Sequence, residues 1–196
     1  MATGADLKVI LIGPIGAGKS TLSRLVATEL KLPCRHLDRI RTTYYREIGY
    51  DEAYAKEIST AEGFVGLYRY WKPFEIHAVE RFVAEDGSAV LDFGGGHSVY
   101  EDASFFARAR RALAPHPHVI LVIPSEDQDE SITILRGRRG PIVSNGFDFD
   151  EHFVRHHSNY DLAKHVVYTK GKTPEQSCAD IVALIRPPLP SFIDGA

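Results

Sequence analysis

The chain has 196 residues, a formal net charge of -3, 44% hydrophobic and 25% charged residues, which fits one domain with a substantial buried core. That charge gives no support for a broad nucleic-acid surface, and no apolar run approaches the roughly 20 residues of a membrane span. Cys34 and Cys178 have no metal-ligand spacing and make no disulfide framework, so the expected setting is cytoplasmic, as a monomer or weak homodimer.

The first apolar run, Leu7–Ile12, reads as a strand. It is followed by Gly13-Pro-Ile-Gly-Ala-Gly-Lys-Ser20, a complete G-x-x-x-x-G-K-[ST] loop, and by a helical pattern over Ser20–Leu30. Strand, loop and helix in that order carry a mechanism. Glycines let successive N–H groups point at one phosphate chain, and the helix N-terminus adds positive potential. The expected nucleotide contacts are therefore Gly13, Ile15, Gly16, Ala17, Gly18 and Thr21, with Lys19 on the β- and γ-phosphates and the Ser20 hydroxyl on Mg²⁺. The bland alternative, a glycine-rich turn, does not explain why every fixed position is filled. ATP and Mg²⁺ are the expected cofactors.

A weaker strand over Cys34–Leu37 precedes Asp38 and a helical pattern over Arg39–Ile48. Asp38 there can orient or deprotonate an acceptor hydroxyl or cap the helix, and one carboxylate can do both. The aromatic stretch Phe64–Glu75 has helical spacing, so most of its rings are expected in the core. The other reading lines an acceptor pocket with them, beside Arg69, Lys72 or Glu75. A helix is expected over Tyr70–Ala84.

The strand Ala89–Phe93 contains Asp92, placed either to hold Mg²⁺ through water or simply as a strand-end carboxylate. Gly94-Gly95-Gly96-His97 follows. Its glycines allow close backbone approach to a ligand and its N–H groups can bind an oxyanion. His97 either contacts substrate or caps the next helix, Ser98–Leu113. After a strand over Val119–Ile123 and a helix over Glu126–Leu135 comes Arg136-Gly-Arg-Arg-Gly-Pro-Ile-Val-Ser-Asn-Gly146. This segment reads as a lid bringing cations to the phosphates, or as a solvated basic loop. A helix over Asp150–Ala163 carries the adjacent pair His156-His157, which cannot face one metal. The strand His165–Tyr168, the helix Pro174–Ile185 and a proline-rich tail over 187–196 complete the chain. Alternating strands and helices predict an α/β fold, a parallel sheet covered on both faces, with ligands beyond the carboxyl ends of the strands.

On the Gly13–Ser20 loop, Asp38, Lys72-x-x-Glu75, Gly94-Gly95-Gly96, the arginine-rich segment and Arg155…Tyr160…Ala163, the chain resembles the shikimate kinase family. That family lies within the nucleoside-monophosphate-kinase-like branch of phosphate-loop folds. The resemblance implies a three-layer α/β P-loop fold with a five-stranded parallel sheet in order 2-3-1-4-5, helices on both faces and a mobile lid. It implies a single kinase domain over 1–186, with an acceptor-binding segment at about 39–85 and the lid at about 136–147. The activity implied is ATP-dependent phosphorylation of a hydroxyl on a small metabolite.

By resemblance Lys19, Asp38, Arg138 and Arg139 are catalytic, and Arg136 and the Thr169–Pro174 loop with Lys172 enclose adenine. Lys72, Gly94, Gly95, Gly96 and Arg155 meet the acceptor. The chain departs from the family at His36, where an Asp-x-Asp pattern has its first carboxylate. It also departs at Lys72, which replaces an arginine and cannot grip a carboxylate bidentately, and at Arg155, one residue farther from Tyr160 than usual. Two other functions stay open on the residues alone. One is a nucleoside or nucleotide kinase stacking a base on Tyr68–Phe74; the other is a regulatory ATPase without a small acceptor.

Overall fold

The computed structural model describes residues 6–186; the tail expected over 187–196 lies outside the described residues. The main sheet is built from β1 (Lys8–Ile12), β2 (Cys34–His36), β3 (Ala89–Asp92), β4 (His118–Ile123) and β7 (His165–Tyr168). These strands are parallel and lie in the order β2-β3-β1-β4-β7, the expected topology once the short lid strands are set aside. All five residues of the central strand β1 are buried, which is why Leu7–Ile12 reads as an unbroken apolar run rather than an alternation. The weak second strand is weak for the converse reason: β2 is a half-buried edge strand.

Helices α1 (Lys19–Leu30), α2 (Leu37–Glu47), α3 (Glu52–Ala84), α4 (Ala103–Leu113) and α8 (Pro174–Ile185) surround the sheet. α1 packs on α8, and α3 packs on both α2 and α4. Their apolar sides close on Val9, Ile10, Leu11, Val119, Ile120 and Leu121 in one core. α5 (Gln128–Arg139), the hairpin β5 (Val143–Ser144) and β6 (Phe147–Asp148), α6 (Phe149–Arg155) and α7 (His157–Leu162) form the remaining segment. A second apolar cluster, Val65, Tyr68, Val99, Phe149 and Phe153, lies between that segment and α3.

Several expected boundaries are corrected. α3 begins at Glu52, capped by the Asp51 side chain, and not at Tyr70. Its backbone leaves helical geometry at Gly63 (φ 65, ψ -160), which marks a break within the helix. The fourth helix starts at Ala103 on an Asp102 cap, leaving Ser98 in the preceding loop. The arginines of the segment expected as a lid occupy the last turn of α5, and the short antiparallel hairpin β5–β6 follows them. The single helix expected over Asp150–Ala163 is two, with the extended residue His156 between them.

Candidate active site

The phosphate loop joins β1 to α1 with Gly13, Gly16 and Gly18 all at positive φ (134°, 81° and 98°). A Cβ at Gly13 would overlap the Val122 carbonyl, so a side chain is excluded there by both conformation and space. Lys19 is buried, and its Nζ donates to the carbonyls of Gly13 at 2.8 Å and Pro14 at 2.9 Å. Burial lowers its pKa, while the charges of Asp92 and Asp38 act in the opposite sense. Ser20 is exposed at the N-terminus of α1, where backbone N–H groups and the helix dipole favour an anion.

Two hollows meet at this loop. The smaller, about 170 Å³, is lined by Ala17, Gly18, Thr21, Arg138, Thr169, Lys172 and Pro174 among others. The buried Thr169 hydroxyl in its wall has no hydrogen-bond partner among the described residues. A nucleotide base carries the polar edge that such a hydroxyl needs. The larger, about 390 Å³, runs from Ile15, Gly16, Lys19 and Ser20 to Asp38, Arg41, Glu75, Gly94, Gly95, Gly96 and His97. Phe64, Tyr68, Trp71 and Phe153 form its aromatic wall. The two hollows therefore flank the phosphate loop, one beside Thr169 and Lys172 and one toward Asp38.

The glycine loop after β3 floors the larger cavity. A Cβ on Gly94 would overlap Asp38 Oδ1, and one on Gly95 would overlap Ile15 of the phosphate loop. Glycine loop and phosphate loop thus touch backbone to backbone, a proximity only glycine permits. Asp38 sits in the first turn of α2, not at its N-cap, which is His36. Its side chain is 61% exposed to the cavity side, 3.9 Å from both Arg41 and His97 Nδ1.

Asp92 is buried at the end of β3, its Oδ2 2.8 Å from His36 Nδ1. The residue that breaks the Asp-x-Asp pattern therefore pairs across the sheet with the carboxylate beside it, in register. Ser20 and Asp92 offer hard oxygen ligands beside Lys19, and Mg²⁺ is held by few carboxylates plus phosphate and water, so this donor set fits the ion. Among the described residues no group of three or more His, Cys, Asp or Glu could hold a metal by itself. His156 and His157 instead stack on each other, ring centroids 4.8 Å apart.

Three expected ligand residues are placed elsewhere. Lys72 is buried and does not line the larger cavity. Its Nζ donates to Glu75 Oε2 at 2.7 Å and to the carbonyls of Val99 at 2.9 Å and Gly96 at 3.2 Å, and it lies 3.9 Å over the Tyr68 ring. It ties the glycine loop to α3, and with its donors committed it has none for an acceptor. Arg155 points to the surface, where it pairs with Glu151 and Asp129 and reaches Gln128 Oε1. Arg136, expected on adenine, is pinned by Asp148 and Asp150.

Arg138 lines the smaller hollow, with Nη1 donating to the Gly16 carbonyl at 3.2 Å. Arg139 pairs with buried Asp150 and donates through Nε to the Ile15 carbonyl at 3.2 Å. Both arginines thus donate to carbonyls of the phosphate loop. Arg69 is exposed on a separate hollow beside Asn145.

Sequence reasoning missed Arg41. It lines the cavity, with its guanidinium 4.5 Å over the Trp71 ring. The spacing Asp38-x-x-Arg41 was nonetheless legible, since residues three apart share one helix face.

No family profile matches the chain. Over 184 residues the chain is 31% identical to a shikimate kinase of Streptomyces coelicolor, covering 90% of this chain and 95% of that protein. It is 33% identical over 175 residues to a shikimate kinase of Streptomyces avermitilis, covering 86% and 90% respectively. Among solved structures, the fold superposes on a shikimate kinase of Acinetobacter baumannii in complex with shikimate, with TM-score 0.60, 19% identity and 92% and 93% of the two chains covered. A shikimate kinase of Aquifex aeolicus gives TM-score 0.57 at 18% identity, over 91% and 96%.

Proposed function

The chain belongs to the shikimate kinase family, and we propose that it transfers the γ-phosphoryl group of ATP, with Mg²⁺, to a hydroxyl of shikimate. That it is an ATP-dependent kinase acting on a small metabolite follows from the family. The acceptor and the residue roles are our reading. The observation that carries this reading is the continuity of the cavity from Lys19 and Ser20 to Asp38 and Gly94–Gly96, which offers donor and acceptor one shared space.

The base would lie in the hollow between Thr21, Arg138, Thr169 and Lys172. The phosphates would take the loop N–H groups and the Lys19 ammonium. Ser20 and Asp92 would hold Mg²⁺, which supplies charge neutralisation on the phosphate oxygens. The acceptor hydroxyl attacks the γ-phosphorus, the bond from the γ-phosphorus to the β–γ bridging oxygen breaks, and ADP leaves with that electron pair. The hydroxyl proton passes to the Asp38 carboxylate. Arg138 and Arg139 stand at the loop where negative charge is redistributed, the place for cations in a transfer run by electrostatics.

Shikimate is a cyclic polyol carboxylate, and its carboxylate needs a cation. With Lys72 and Arg155 engaged elsewhere, Arg41 is the guanidinium that faces this cavity. It stacks on Trp71, and a planar guanidinium fork matches the geometry of a carboxylate. Calorimetric titration tests this directly. Shikimate binds the wild type, and Arg41→Ala weakens that binding by about 10-fold or more, the worth of one charge-assisted contact. A wild type that binds nucleosides but not shikimate would transfer the reading to a nucleoside kinase.

A further inference from the structure

His97 closes the glycine loop and has been given no part in the transfer above. It does not cap the next helix, which begins at Ala103 on Asp102. Its ring is buried, 1% exposed, and Nδ1 has no hydrogen-bond partner among the described residues. A buried polar atom left unpaired is costly and calls for an explanation. Nδ1 lies 3.9 Å from Asp38 Oδ1, while Nε2 is 3.3 Å from the Tyr45 hydroxyl.

The proton positions follow from the surroundings. Burial first, and then the charge of Glu75, push the Tyr45 phenol well above its ordinary pKa, so it stays protonated. Burial also depresses the His97 pKa, against the pull of Glu75 and Asp38, so the ring is neutral. A neutral imidazole carries one N–H. If Tyr45 donates to Nε2, that N–H is on Nδ1 and points at Asp38. Gly94 leaves room for this approach, since a Cβ there would come within 2.6 Å of Nδ1 and overlap Asp38 Oδ1.

We propose that His97, fixed as the Nδ1–H tautomer by the Tyr45 hydroxyl, is a positioning residue that orients the Asp38 carboxylate toward the acceptor hydroxyl. This rests on the reading that Asp38 receives the hydroxyl proton. The present separation is about 1 Å beyond hydrogen-bond length, and a turn of the exposed Asp38 side chain closes it. Asp38 and Tyr45 both come from α2 and His97 from the glycine loop. The chain of three groups thus ties the base to the floor of the acceptor cavity. An error of this size in a reacting group costs about 10²-fold in rate, so the tie has a rate effect large enough to measure.

Three substitutions separate this role from packing. The amide nitrogen of Asn stands near the place of Nδ1, whereas that of Gln stands nearer Nε2. His97→Asn is expected to keep most of kcat, while His97→Gln and His97→Leu lose about 10–100-fold with KM for ATP unchanged. Equal loss in all three, at wild-type melting temperature and ATP affinity, would overturn the proposal, as would wild-type kcat in all three. A second measurement needs no variant to fold. Nitrogen-15 shifts of the wild-type histidines should show His97 neutral and protonated at Nδ1, and a proton on Nε2 contradicts it. Asp38→Asn separates the two levels. If it keeps wild-type kcat, the reading of Asp38 falls and this inference with it; if it is inactive while His97 is freely replaceable, only the positioning role falls.

Discussion

Lys72 shows how far one residue's surroundings decide its role. Placed where the family resemblance expects an acceptor-binding cation, it is instead buried against Glu75, side chains 8% and 3% exposed, and braces the glycine loop through two carbonyls. Removing one partner of a buried ion pair costs about 3–5 kcal/mol because the other charge is stranded. Lys72→Met should therefore lower the melting temperature sharply, and adding Glu75→Gln should restore part of the loss. A Lys72→Met protein that melts like the wild type but has lost acceptor affinity would return Lys72 to the substrate site. The Lys-x-x-Glu spacing was available to sequence reasoning as an i,i+3 helix pair. What the sequence does not contain is the packing of Tyr68 and the glycine loop around it, which takes the pair out of water.

At the scale of elements, the break in α3 is where the lid segment docks. The Ser144 hydroxyl accepts from the Phe64 N–H at 3.0 Å, and Asn145 Nδ2 donates to the Glu62 carbonyl at 2.7 Å. The hairpin thus supplies the groups that the interrupted helix lacks on either side of Gly63. Its φ of 65° with ψ of -160° is open almost solely to glycine, and a Cβ there would stand 2.9 Å from Ser144 Oγ. Gly63→Ala should cost about 1–3 kcal/mol and lower the melting temperature by several degrees, read by calorimetry. An unchanged melting temperature would mean that the break is not held as described. The start of the helix at Glu52 was not legible because Gly63 breaks it, and a glycine looks the same in a loop as in a broken helix.

For the molecule as a whole, the parts under rigid chemical constraint were the legible ones. The phosphate loop could be read because its chemistry fixes residue types at fixed spacings, and the central strands because burial on both faces leaves unbroken apolar runs. The sheet order agrees with the one implied by the family. The acceptor half was less legible because it is assembled from side chains on separate elements. Arg41 comes from α2, Trp71 from α3 and His97 from the loop after β3. Their meeting depends on helix packing, which spacing does not encode.

If donor and acceptor share one cavity around Lys19, ADP formation depends on the acceptor. With ATP and Mg²⁺, shikimate should raise ADP release far above the acceptor-free rate and yield one phosphorylated shikimate per ADP, and Lys19→Ala should cut that rate by about 10²–10³-fold. ADP release that is the same with and without shikimate, or that responds to a nucleoside instead, would contradict it.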